Sequence, residues 1–261
     1  RPAKIARFGE SPLAFASIVK FPAALPESAQ REALARCAAA SRPAIVMVAH
    51  GWGGGVRRHV DDLAALIADR CEVFHLLPAG GDQVALHRHG GALALYFTLP
   101  ADGAALAALL RSLSVVRFHF HHVHGLPQSV LELPRSTGVP YDCTLHDYFA
   151  FCPQHQLVDV DGRYCGEPDE AGCRDCLAQR APQWPLDIAE WRELFGAFLA
   201  GAARVIAPVE DVRRRFRRHF ASLPIVVWPH PEPAVTLPGR PCRVATLGLL
   251  SPAKGLDVVV G

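Results

Sequence analysis

Three observations in the 261-residue sequence predict an α/β fold built on a doubly wound, mostly parallel sheet. From Pro43 onward, short β-branched runs alternate with amphipathic stretches, the pattern of successive βαβ units. The first run passes through glycines directly into a helical pattern. Histidines and a His-Asp pair then recur where later runs end, and sheets of this kind bind ligands at the carboxyl ends of their strands.

Taken in order, AIVMVAH (44–50) predicts the first strand, GWGGG a loop, and VRRHVDDLAALIADR a helix with Val56, Val60, Leu63, Leu66 and Ile67 at helical spacing. Further strands are expected at 71–77, 92–98, 115–120, 142–146, 204–208 and 225–229. Helices are expected at 101–113, 126–135, 187–201 and 209–221. Residues 1–42 form an N-terminal extension with a predicted helix over Glu27–Ala40, and residues 43–228 form the domain. The Pro-rich stretch 229–241 reads as a linker, and 242–261 as the start of a second, truncated domain.

Composition narrows the class. Half the residues are hydrophobic and 20% are charged, enough for a buried core, and a net charge of +2 points away from nucleic acid. The most apolar stretch, Leu93–Leu110, is broken by Pro100 and Asp102, which argues against a membrane span. The chain starts at Arg1 and shows no signal-peptide pattern, so a cytoplasmic piece of a larger protein is expected. Cys37, Cys71, Cys143 and Cys242, each alone among apolar residues, read as buried thiols of a reducing compartment.

Four features carry candidate chemistry. Gly53, Gly54 and Gly55 join a strand to a helix N-terminus, where free amides favour an anion; a simple tight turn explains them equally well. In FHFHHVHG (118–125), alternation sends His119 and His121 to one face while His122 and His124 leave the strand end. Ligand-facing or hydrogen-bonded histidines are preferred there over a metal site, since no carboxylate accompanies them at a metalloprotease-like spacing. His146-Asp147 occupies another strand end, to contact a polar ligand or to cap the following loop. Cys152, Cys165, Cys173 and Cys176, spaced C-x12-C-x7-C-x2-C, match a closed four-thiolate structural zinc site, with disulfides or free thiols as alternatives. Such a site leaves no position for an activated water, so no catalytic metal is expected. On the 209–221 helix, Val209, Val212, Phe216 and Phe220 form an apolar side. Arg213 to Arg218 form a basic one, read as a solvated face or as a peripheral contact with the inner face of an anionic membrane.

Five stretches in order, GGGVRRHVDDLA (53–64), HFHHVHGLP (119–127), TLHDYFAFCP (144–153), RVIAPVEDVRRRF (204–216) and LGLLSPAKGLDVV (247–259), resemble family-4-type glycosyltransferases, in a subgroup with a four-cysteine insertion. The resemblance implies the N-terminal half of a GT-B fold, two Rossmann-like domains facing across a cleft. It implies transfer of a sugar, with retention, from a nucleotide-sugar donor to the hydroxyl of a glycan or lipid-linked acceptor, as in surface polysaccharide synthesis. Gly53, Gly54 and Gly55 would then lie near the diphosphate and acceptor, His146 near the transferred sugar with Asp147 beside it, and His122 and His124 along the binding cleft. Lys254 would meet the diphosphate from the start of the second domain; the chain ends before the paired-glutamate motif that holds the donor, so the 261-residue chain alone is expected to be inactive. Leu249 stands where an arginine is common. Two other classes compete: a non-catalytic glycan- or protein-binding domain, and a metal-dependent hydrolase using the histidines of 118–125.

Overall fold

A computed structural model describes residues 42–91 and 94–230. The N-terminal extension, nearly all of the linker, the second-domain start, Cys37, Cys242 and Lys254 lie outside the described residues.

The strands are β1 (Ala44–Val48), β2 (Glu72–Gly80), β3 (Gln83–Arg88), β4 (Ala94–Thr98), β5 (Val115–Phe120), β6 (Tyr141–Thr144), β7 (Arg204–Ala207) and β8 (Ile225–Val227). They form one sheet in the order β4-β3-β2-β1-β5-β6-β7-β8. All pairs from β2 to β8 are parallel, and β2-β3-β4 is an antiparallel edge. The sequence reading missed β3. Its flanks are turn-formers, with Gly80, Gly81 and Gly90 all at positive φ, but QVALHR carries two basic or imidazole side chains that hide its alternation.

Helices α1 (Gly55–Ile67), α2 (Gly103–Ser112), α3 (Leu133–Thr137), α4 (Glu170–Gln179), α5 (Ile188–Ala200) and α6 (Glu210–His219) complete the domain. The strand period of two sorts the core into two layers. Val46, Val48, Phe74, Leu76, Phe118, Phe120, Cys143 and Val205 pack with Leu106 and Leu110 of α2, Trp191, Phe195 and Leu199 of α5, and Phe216 of α6. On the opposite face, Met47, Ala49, Val73 and Leu77 pack under Val60 and Ala64 of α1. Burying side chains of this size contributes about 1.5–3 kcal/mol each, which is what holds the strand ends in register.

Several local expectations need correction. The helix expected at 126–135 is a 3-10 turn, Gln128–Glu132, followed by the short α3, because Pro134 falls where a continuous helix needs an amide donor. Val209 is exposed, since it precedes α6 in extended backbone and is off the apolar stripe of Val212 and Phe216. Cys143 is buried as expected, but Cys71 is only half-buried in the turn before β2. The basic face of α6 is mostly paired. Arg213 meets Glu210, Arg214 meets Asp211, Arg215 meets Asp211 and Glu167, and Arg218 meets Glu167 at 3.5 Å. Little unpaired positive charge remains there for a lipid surface. Among the described residues, no helix is long and apolar enough to cross a membrane.

Candidate functional site

The carboxyl ends of β1, β5 and β6 lie side by side, and α1 starts above them. Gly54 caps α1 with φ 85°, a backbone only glycine adopts without strain, and no side chain caps the helix. A Cβ on Gly53, Gly54 or Gly55 would meet nothing within 4 Å. The first turn of α1 therefore presents its amides to open space, the arrangement that suits an anion.

Two groups of histidines meet beneath this turn. In the first, His121 Nδ1 lies 3.1 Å from His146 Nε2, and His119 Nε2 lies 2.8 Å from Thr144 Oγ1. His59, on the second turn of α1, brings its ring centroid within 5.4 Å of His121 and 5.1 Å of His146, and His230 lies over it at 4.0 Å. Burial, then the neighbouring His59 and His230, hold His146 down at about 3. His119 is held at about 4, chiefly by burial, and His121 well below the usual range for the same reason. These rings are neutral at pH 7.

In the second group, the amide of His124 donates to His122 Nδ1 at 2.9 Å, which places the His122 proton on Nε2. That proton is donated to Asp147 Oδ2 at 2.8 Å, and Asp147 Oδ1 accepts the Phe149 amide at 2.9 Å. Burial opposes ionisation of Asp147, but the His122 hydrogen bond and the Phe149 amide outweigh it and keep the carboxyl below its usual range. His50 accepts the Trp52 amide at 3.1 Å, and burial holds it at about 4. Trp52 is 50% exposed and packs against His124, with ring centroids 4.1 Å apart and the planes tilted by 47°.

The sequence-predicted residues therefore separate. His146 faces the first group, and Gly53, Gly54 and Gly55 form the open helix start. His122 does not fit the ligand contact expected of it, because both its nitrogens are already bonded inside the protein. Asp147 likewise commits one oxygen to His122 and the other to Phe149, so it anchors the segment after β6 and leaves His146 to face the cluster. His124 keeps an unpartnered Nδ1 beside Trp52. Trp191 secures the same segment from below: it is fully buried and donates from Nε1 to the Phe149 carbonyl at 2.8 Å. A cavity of ≈ 50 Å³ is lined by His121, His122, His146, Asp147, Phe149 and Phe195.

Sequence reasoning missed His50, Trp52, His59, His155 and His230. The signal was available for His50 and His59: one immediately follows β1, and the other lies one turn into the helix that the glycines open.

Cys152, Cys165, Cys173 and Cys176 are free thiols gathered in one neighbourhood beside this segment, where each of the other three lies close enough to Cys152 to oppose its ionisation. Burial is the main cause that pushes the Cys152 thiol up to about 11. Cys173 and Cys176 share one face of α4. Arg180 Nη2 donates to Cys176 Sγ at 3.0 Å and Arg192 Nη2 to Cys173 Sγ at 3.5 Å, cations that suit thiolates. The thiols gather more loosely than the histidine nitrogens do. Among the described residues, the donor sets with all atoms within 4.8 Å of one another are His59, His121, His146 and Asp61, His75, His89.

An α/β domain with open helix amides and neutral imidazoles at adjacent strand ends has the layout in which sheets of this kind bind ligands. Residues 53–231 match the family model for Glycosyltransferase Family 4, and the chain belongs to that family. A comparison with curated proteins finds no match. The family makes the domain part of a glycosyltransferase and favours transfer over metal-dependent hydrolysis.

Proposed function

We propose that this domain is the acceptor-side half of a retaining glycosyltransferase that moves a sugar from a nucleotide-sugar donor to a glycan or lipid-linked hydroxyl. The observation that carries the reading is the convergence of the α1 start and the β6 end: His59 and His146 are in ring contact, so the open amides and His146 border one space. The leaving diphosphate needs electrostatic stabilisation, and the amides of Gly54 and Gly55 offer part of it. A second domain, with Lys254 near its start, supplies the rest. His146 hydrogen-bonds hydroxyls of the sugar as a neutral imidazole. Its neutrality matters because glycosyl transfer develops positive charge on the sugar ring, which an imidazolium would oppose. His122, Asp147 and Trp191 act through His146 by holding its backbone in place.

In this reading the four cysteines hold a structural zinc, their sulfurs drawing closer on binding, and α4 supports it. That helix buries no side chain and is ten residues long, too short to hold its shape in water without an external anchor. A zinc there would tie α4 to Cys152, next to the sugar-facing segment, and the chain's own Arg180 and Arg192 would offset the thiolate charge.

The test is His146→Ala in a polypeptide carrying both halves of the enzyme. Transfer is expected to fall by about 100-fold or more while the circular dichroism spectrum is unchanged. Unchanged turnover in a folded variant overturns the assignment.

A further inference from the structure

We propose that His59, His121 and His146 form a binding site for a divalent transition-metal ion of the zinc type. This is distinct from the four-cysteine cluster and does not depend on the transfer reading; an ion held by His146 takes up the ring that otherwise meets the sugar, so the two occupancies exclude one another.

Three elements bring one ring nitrogen each within 4.8 Å of the others: α1, the residue after β5, and the second residue after β6. Tetrahedral zinc with Zn–N near 2.0–2.1 Å needs ligand nitrogens roughly 3.3 Å apart. His121 Nδ1 and His146 Nε2 already stand at 3.1 Å. His59 is the ligand that must close, and it lies half-buried on α1 with the His230 ring 4.0 Å away.

His121 supplies an independent observation. It is 3% exposed, its Nε2 has no partner, and its Nδ1 meets only another imidazole. The contact that an ion would replace is the one between His121 Nδ1 and the His146 imidazole; the unpartnered Nε2 is the other ring nitrogen and is not satisfied by that ion. The surroundings also suit a cation. The charged side chains that act on His59 and His146 include the carboxylates of Asp62 and Asp147, both of which favour positive charge there. An all-imidazole donor set selects zinc, cobalt, nickel or copper over magnesium or calcium.

Asp61, His75 and His89 form a second compact donor set, with His75 Nε2 and His89 Nδ1 3.1 Å apart. There the Arg57 guanidinium occupies Asp61 Oδ2 at 2.6 Å, placing a positive charge where the ion would bind. The three-histidine set has no such competitor.

The experiment is titration of the 261-residue chain with Co2+, followed by visible absorption. Thiolate ligation produces sulfur-to-metal charge-transfer bands, and imidazole ligation produces only ligand-field bands, so the two sites separate spectroscopically. One equivalent with a ligand-field spectrum free of sulfur bands is expected. It should be lost in His59→Ala, whose half-buried position makes misfolding easy to exclude by circular dichroism, and kept in His89→Ala. Absence of that equivalent in the unmodified chain overturns the proposal. So does its persistence in His59→Ala, and loss in His89→Ala alone would reassign the ion to the Asp61 set.

Discussion

Asp147→Asn isolates the network that anchors the segment carrying His146, because the substitution keeps shape and removes one acceptor. In the protein, Oδ2 receives the His122 Nε2 proton at 2.8 Å and Oδ1 the Phe149 amide at 2.9 Å. Asparagine has a single acceptor oxygen, so its NH2 must confront either His122 Nε2–H or the Phe149 N–H. His122 cannot escape by changing tautomer, since its Nδ1 already accepts the His124 amide at 2.9 Å. One buried donor is therefore orphaned, at about 1–3 kcal/mol, and the surviving bond loses its charge assistance. We expect a loss of roughly 2–3 kcal/mol, or about 5–10 °C in Tm for a domain of this size. Urea unfolding followed by the fluorescence of Trp184 and Trp191 would report it as a shifted midpoint with an unchanged slope. Stability within about 0.5 kcal/mol of the unmodified chain would refute the tautomer argument, because surface-like tolerance is incompatible with an orphaned buried donor.

Three further outcomes follow from the same geometry. Trp191→Phe removes the hydrogen bond to the Phe149 carbonyl and leaves a void among Phe149, Trp184 and Phe195, so chemical denaturation should show a loss of about 2 kcal/mol or more. Stability should fall on acidification below about pH 6.5, the ordinary histidine value. His119 is held at about 4 and His146 at about 3, so the unfolded chain binds more protons than the folded one between those values and 6.5. Unfolding free energies from urea titrations between pH 7 and pH 5 should decline by at least roughly 1 kcal/mol per pH unit, and a flat profile would contradict the buried neutral imidazoles. If the cysteines hold zinc, a strong chelator should open residues 153–183 to limited proteolysis while the tryptophan fluorescence of the core stays native. Identical cleavage with and without chelator, in a chain free of zinc by elemental analysis, would refute the clip.

Strand and helix alternation was legible because each element repeats its own period: AIVMVAH, VVRFHF and RVIAP read as strands, and the helix after the glycines starts at Gly55. The antiparallel β3 escaped notice because it is a run of only six residues that ends in His87 and Arg88, side chains that do not read as strand-forming. Helix α4 escaped because it has no apolar stripe to read, with no buried residue along its length.

By itself, the sequence determined which residues end each strand, and so it brought forward His146, the glycine loop and the cysteine spacing. Only the tertiary structure decided that His122 and Asp147 serve each other, and that His59 reaches His121 and His146 across 62 and 87 positions of chain. The physical reason is the crossover order. Placing β1 against β5 and β5 against β6 sets three strand ends side by side, and no local period records which strand becomes the neighbour of which.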